Sequence, residues 1–262
     1  MLKPSLEEVK ALAKQYNTIP VFYEFSADNQ TPLNIYTAFS GKSRNSFIFE
    51  SVSNGVQWDR YSFIGFAPKQ EIRISGKQAE IRTEKGTQTL AVEQPIAFLK
   101  EQMAAFHAPV IPGAPNFTGG LIGYFGYDTV RYMEKKLTNI PEDDIHMPDC
   151  HLFLYEELIA YDHLTSNGIV ILNLHTDGDL GAQYAAAQWR AEELADTIRH
   201  YNPQPQEQHH QGESVVRSNL TKEQYSQMVQ DAKEYIRNGD IFQIVLSQRF
   251  EISNPPDSFS VY

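Results

Sequence analysis

Residues 47–68 read FIFESVSNGVQWDRYSFIGFAP, and the folding of this stretch organises the rest of the chain. Two runs rich in aromatic and β-branched residues, FIFESV and YSFIGFAP, flank a segment containing Asn54-Gly55. Side chains of that kind fill a pleated, half-buried surface, and Asn-Gly favours a tight reversal, so the stretch reads as two antiparallel strands. Its seam is polar: Glu50 and Ser51 close the first run, and Asp59 and Arg60 open the second. A carboxylate, a hydroxyl and a guanidinium so close in sequence leave two readings open. One is a solvated hairpin end; the other is a pocket for a small zwitterion.

Upstream, Ser5 with Glu8 three residues on forms a capping box, and Leu6, Val9 and Leu12/Ala13 supply the buried stripe of a helix. Residues 19–25 (IPVFYEF) alternate as a strand, and Thr31-Pro32 opens a second helix with proline at the permissive first position. Downstream, EIRISG and AEIRTEKG, punctuated by Gly76 and Gly86, read as a meander. Residues 93–106 follow as a helix, with Ile96, Leu99, Met103 and Phe106 at helical spacing. FTGGLIGYFGYD concentrates Gly119, Gly120, Gly123 and Gly126, but the spacing matches neither phosphate-loop pattern. Glycine interleaved with aromatics here predicts close backbone approach in a packed strand. Asp128 and Arg131 are then placed to cap a short helix, and residues 135–148 form an acidic loop.

LFLYEELIAYDHLTSNGIVILNLH predicts two strands around Thr165-Ser166-Asn167-Gly168, with Asn-Gly suited to a type I′ turn. His151, His163 and His175 lie on or beside these strands without compact metal-ligand spacing. Residues 183–200 are helical, and NPQPQEQHHQGES (201–213) has the composition of a linker. Beyond it, a helix runs to about Arg237 with Tyr225, Met228/Val229, Ala232 and Ile236 on one face, and Asn238-Gly239 ends it. IFQIVLSQRF (241–250) predicts a strand, and Asp257 or Ser258 a last helix cap.

At 262 residues there is room for one large domain or two modest ones. Aromatics at 12% suit a β-rich protein, and 21% charged residues is too few for wholesale disorder. A net charge of −11 argues against nucleic acid and against an anionic membrane surface. Cys150 is the only cysteine, which excludes an intrachain disulfide and a cysteine-rich metal site. The first residues, MLKPSLEEVKALAK, carry acids and lysines where a signal peptide has an apolar core, and no apolar run reaches membrane-spanning length. A cytoplasmic location is expected.

FES, WDRYSFIGF, GGLIGYFGYD and NGDIFQIVLSQRFE, taken together and in this order, resemble component I of anthranilate synthase. The resemblance covers the whole chain. It implies an α+β fold: a β-rich sandwich core with antiparallel sheets and flanking helices, and an incomplete C-terminal unit. It also implies three divisions. Residues 1–200 form the tryptophan-regulatory N-terminal region, 201–213 a linker, and 214–262 the first helix and strand of a chorismate-binding domain. The related aminodeoxychorismate synthase large subunit shares the glycine-rich stretch and the final strand, whereas the RYSFIG wording is similar to anthranilate synthase. Isochorismate and salicylate synthases carry a lysine where this chain has Gln243.

The resemblance implies a lyase that converts chorismate and ammonia or glutamine to anthranilate and pyruvate. Mg²⁺, a glutamine amidotransferase subunit as partner and feedback inhibition by L-tryptophan are implied with it. Ser51, Glu50 and Arg60 correspond to the tryptophan-binding positions: Glu50 accepting from the ammonium, Ser51 beside it, Arg60 facing the carboxylate or pairing with Glu50. Gln243 corresponds to a residue of the chorismate pocket. The Mg²⁺ ligands and the acid/base histidine are expected beyond Tyr262, so the chain is expected to be truncated and inactive alone. Two further readings stay open: a non-catalytic amino-acid-binding module, and a truncated product with an unpaired last strand.

Overall fold

The computed structural model describes residues 1–41, 43, 45–50, 60–134, 136–203 and 214–262. The opening stretch pairs as its composition dictates. β2 (Ser46–Phe49) and β3 (Tyr61–Phe66) lie antiparallel, with Phe47 opposite Gly65 and Phe49 opposite Phe63. The predicted Asn54-Gly55 reversal lies outside the described residues. β3 then pairs with β9 (Glu157–Asp162), β9 with β10 (Asn167–His175), and β10 with β1 (Thr18–Ser26), giving a sheet ordered β1-β10-β9-β3-β2. β1 does not alternate in burial as its sequence suggested: its first five residues are all buried. Both faces of this sheet are covered, so both side-chain sets go inside. Pro20, which has no N–H to donate, is accommodated because β1 is an edge strand.

A second sheet is ordered β6-β5-β4-β8-β7, from β4 (Gln70–Ser75), β5 (Gln78–Thr83), β6 (Gly86–Ala91), β7 (Gly120–Phe125) and β8 (Cys150–Tyr155). The predicted meander is its first half. The glycine-rich stretch is β7, and the reason for glycine is proximity: a Cβ on Gly123 would stand 1.9 Å from the His151 carbonyl oxygen.

Three apolar clusters hold these layers. On one face of the first sheet, α1 (Leu6–Leu12), α2 (Pro32–Ser40) and α4 (Leu180–His200) bring Val9, Ile35, Phe39, Leu194 and Ile198 against Ile19, Val21, Ile64 and Ile159. On its other face, Phe22, Leu158, Ala160 and Ile171 share a core with Tyr155, Ile122 and Phe153 of the second sheet. Phe47 and Tyr155 meet edge to face at 4.9 Å across that layer. The outer face of the second sheet buries Ile72, Ile74, Cys150 and Leu152 with Leu99 of α3 (Pro95–Ala104).

The run LFLYEELIAYD is not one strand. β8 ends at Tyr155 in the second sheet, β9 starts at Glu157 in the first, and Glu156 alone joins them. Asn167-Gly168 is not the reversal either. Both residues lie in β10, Asn167 opposite Asp162, and the turn is made by residues 163–166 with Ser166 at φ +55°. The Asp162 carboxylate organises that turn by accepting from the Leu164 N–H (3.0 Å) and the Thr165 hydroxyl (3.0 Å). Gly168 serves packing instead: a Cβ there would be 2.3 Å from Cζ of Phe25.

The chain divides into two compact units, Met1–Pro203 and Gln204–Tyr262. Within the second, α5 (Lys222–Asn238) has Thr221 as N-cap in a capping box with Gln224, and Gly239 at φ +79° as its left-handed stop. β11 (Val216–Ser218) pairs with β12 (Phe250–Ile252), and Asp257 caps α6 (Ser258–Val261). The strand expected over residues 241–250 is corrected: 241–249 are irregular, and only Phe250 onward joins a ladder. A strand exists only where a neighbour completes its hydrogen bonds, and among the described residues of this unit only β11 does so.

Candidate functional site

Of the polar seam, the described residues Glu50 and Arg60 stand at one end of the first sheet. β2 ends at Phe49, so Glu50 stands at the strand's exit, half-buried. Arg60 stands at the entrance to β3, where its carbonyl accepts from the His163 N–H at 2.9 Å. The register sets Tyr61 of β3 opposite Asp162 of β9, which brings the turn after β9 alongside Arg60.

Arg60 is held there by a two-pronged ion pair. Nε donates to Asp162 Oδ1 at 2.9 Å and Nη2 to Oδ2 at 2.6 Å. The Asp162 side chain is only 4% exposed and that of Arg60 is 44% exposed, so the pair reaches from the interior to the surface. Arg60 also lies over the Tyr61 ring, 5.0 Å from its centre. Burial alone would raise the Asp162 pKa. The bonds from Arg60, the Leu164 N–H and the Thr165 hydroxyl outweigh it and hold the carboxyl below the usual aspartate value. The bond to Asp162 in turn raises the Arg60 pKa. Beside this pair, fully buried Ser62 lies 2.7 Å from Nε2 of His163, and the His163 ring meets Tyr161 edge to face.

The sequence left Arg60 a choice between a ligand carboxylate and Glu50, and the structure adds Asp162. With Nε and one N–H of Nη2 engaged, the outer Nη1/Nη2 edge is what Arg60 can offer a ligand. Asp162 was missed from the sequence. Its signal was an aspartate immediately before a turn, the position where a carboxylate bonds the backbone two residues on. The other end of β9 is built alike: Glu157 holds Arg190 of α4 at 3.0 and 2.8 Å.

Ser51 lies outside the described residues. Gln243 is exposed in the irregular segment of the second unit. The three histidines have separate partners: His151 with Glu71 (2.8 Å), His163 with Ser62, and His175 with Glu156 (3.0 Å). Among the described residues, no group of three or more His, Cys, Asp or Glu side chains is arranged to hold a metal ion. Among them, too, no helix is long and apolar enough to cross a membrane.

Comparison with known proteins adds four findings. The family model described as chorismate binding enzyme matches residues 52–262. Anthranilate synthase component 1 of Acetivibrio thermocellus is 38% identical over 274 residues, covering 100% of this chain and 54% of that protein. The protein of the same name from Pseudomonas aeruginosa is 36% identical over 252 residues, covering 94% and 51%. The crystal structure of anthranilate synthase component I from Streptococcus pneumoniae superposes with a TM-score of 0.56 at 29% identity, over 76% of this chain and 43% of that one. The chain thus spans about half the length of the relatives it matches.

Proposed function

The chain belongs to the chorismate-binding enzyme family, and from that premise we propose that it acts as the large subunit of an anthranilate synthase, in the first step of tryptophan biosynthesis. The observation that carries this reading is similarity along nearly all of this chain to about half the length of relatives bearing that one name. Chorismate would gain an amino group at C2, lose its C4 hydroxyl and eliminate pyruvate to leave anthranilate. Expelling hydroxide from a dianion calls for a proton donor and a Lewis acid. Mg²⁺ is the proposed Lewis acid. The described side chains do not form a site for it, so its ligands and the acid/base histidine are assigned to the share of the relatives that this chain does not span. Gln243 is the residue assigned to the chorismate pocket. A glutamine there is not a base for water, as a lysine would be, which suits an enzyme that admits ammonia from a glutamine amidotransferase partner. A cytoplasmic location accords with this metabolic role.

The Glu50–Arg60 end of the first sheet is proposed as part of a feedback site for L-tryptophan. Glu50 and Ser51 would take the ammonium through charge-assisted bonds worth about 1.5–3 kcal/mol each when shielded. Arg60 would meet the carboxylate with its outer edge, Asp162 fixing its direction.

The test supplies the unmatched part of the A. thermocellus relative in trans and identifies the product formed from chorismate, ammonium and Mg²⁺. Anthranilate is expected. Aminodeoxychorismate or isochorismate would overturn the assignment.

A further inference from the structure

Gly119 and Gly120 belong to the glycine-rich stretch, yet neither takes part in the Arg60 end of the sheet. A Cβ on Gly119 would lie 2.8 Å from Asn173 Nδ2 and 3.0 Å from the Tyr155 carbonyl oxygen, so packing closes that position to side chains. Gly120 differs. A Cβ there would meet nothing nearer than Phe117 Cε2 at 3.7 Å and Met103 Cε at 3.8 Å. Its φ of +141° favours glycine on backbone grounds, and the missing side chain leaves room beside it.

That room is a cleft of about 130 Å³ at the corner where the chain passes from β8 to β9. Met103, Phe106, Leu154 and Tyr155 line it, with Glu156 and Asn173 as polar groups. The corner is braced: the Asn173 side-chain amide donates to the Thr118 carbonyl at 2.8 Å and to the Glu156 carbonyl at 2.9 Å. The Glu156 side chain is 17% exposed. Its Oε1 pairs with His175 Nε2, and among the described residues Oε2 takes no hydrogen bond.

An apolar cavity of about 150 Å³ accommodates benzene. A cleft near that size with a carboxylate at its edge favours a compact ring carrying a cation, and repels a ring carrying an acid. We infer that the cleft beside Gly120 is a binding site for a small aromatic amine, its ring against Met103 and Phe106 and its ammonium on Glu156. The site is separate from the Arg60 end, since β9 runs from one to the other over roughly 17 Å at about 3.3 Å per residue.

The test follows the Met103 methyl resonance of the 262-residue protein during titration with benzylamine, toluene and benzoate. A saturable shift with benzylamine is expected, and none with benzoate. Glu156→Gln should weaken benzylamine about tenfold, to the level of toluene. Ala108→Leu, at an exposed position on the cleft wall, should abolish the shift without lowering Tm. The inference is overturned by no saturable benzylamine shift, by benzoate binding as tightly, or by full binding in Ala108→Leu.

Discussion

In Met1–Pro203 the aliphatic side chains of the central strands are inside: Leu158, Ile159 and Ile171 of adjacent strands are all 0% exposed. In Gln204–Tyr262 the sequence is equally apolar over IFQIVL, yet Phe242 is 93% and Val245 84% exposed. The helices of the two units are equally well made, each main one with an N-cap side chain bonded to its first turn. What separates the units is strand pairing. A helix closes its hydrogen bonds within itself, so α5 forms from local signals; a strand depends on residues remote in the chain, and the run before β12 does not find them among the described residues of its unit.

The contrast breaks hardest at the core. Ile159→Ala should cost about 2–5 kcal/mol, from lost transfer energy and the cavity left in a site covered on both faces. Val245→Ala should change stability by no more than about 0.5 kcal/mol. Alkylation of Cys150 reports the difference, because the thiol is fully buried in the first unit and burial pushes its pKa up to about 11. Labelling then requires that unit to open. Ile159→Ala should accelerate it and Val245→Ala should not.

A smaller effect is expected at the polar end. Asp162→Asn should destabilise the first unit by about 1–3 kcal/mol, since Arg60, the Leu164 N–H and the Thr165 hydroxyl lose a charged acceptor. The native Asp162 pKa is lowered, so this contribution is fully present above the unfolded value of about 3.9. It is lost as pH falls through the native value. Urea unfolding at several pH values should show wild type and variant converging in acid. A gap that persisted unchanged at low pH would mean Asp162 acts through shape alone.

A loss of about 1 kcal/mol probes the second unit. Thr221→Ala removes the N-cap of α5 and should cost about 1 kcal/mol of helix stability. Loss of helical circular dichroism with unchanged Cys150 labelling would show that the units answer separately.

Elements governed by neighbours in sequence were legible before the structure. The Ser5–Glu8 box, Pro32 at a helix start, the Gly76 and Gly86 turns and the pairing of β2 with β3 all follow from local chemistry. Elements governed by remote contacts were not. Asn167-Gly168 carried a turn signal, but Phe25 stands where a Gly168 side chain would be, and the Asp162 turn takes the reversal. LFLYEELIAYD has no breaker at Glu156, so its passage between two sheets could not be read from pattern. At the candidate site, Glu50 and Arg60 stood out through polarity at a strand end. Asp162, about a hundred residues later, met Arg60 only through the β3–β9 register.

The first unit buries a continuous core, whereas in the second, among the described residues, no group of three or more His, Cys, Asp or Glu side chains is arranged to hold a metal ion. The most direct measurement is anthranilate fluorescence from the 262-residue chain alone with chorismate, ammonium and Mg²⁺. No signal above the enzyme-free rate is expected; sustained turnover would contradict the assignment of the Mg²⁺ ligands and the acid/base histidine to the share of the relatives that this chain does not span.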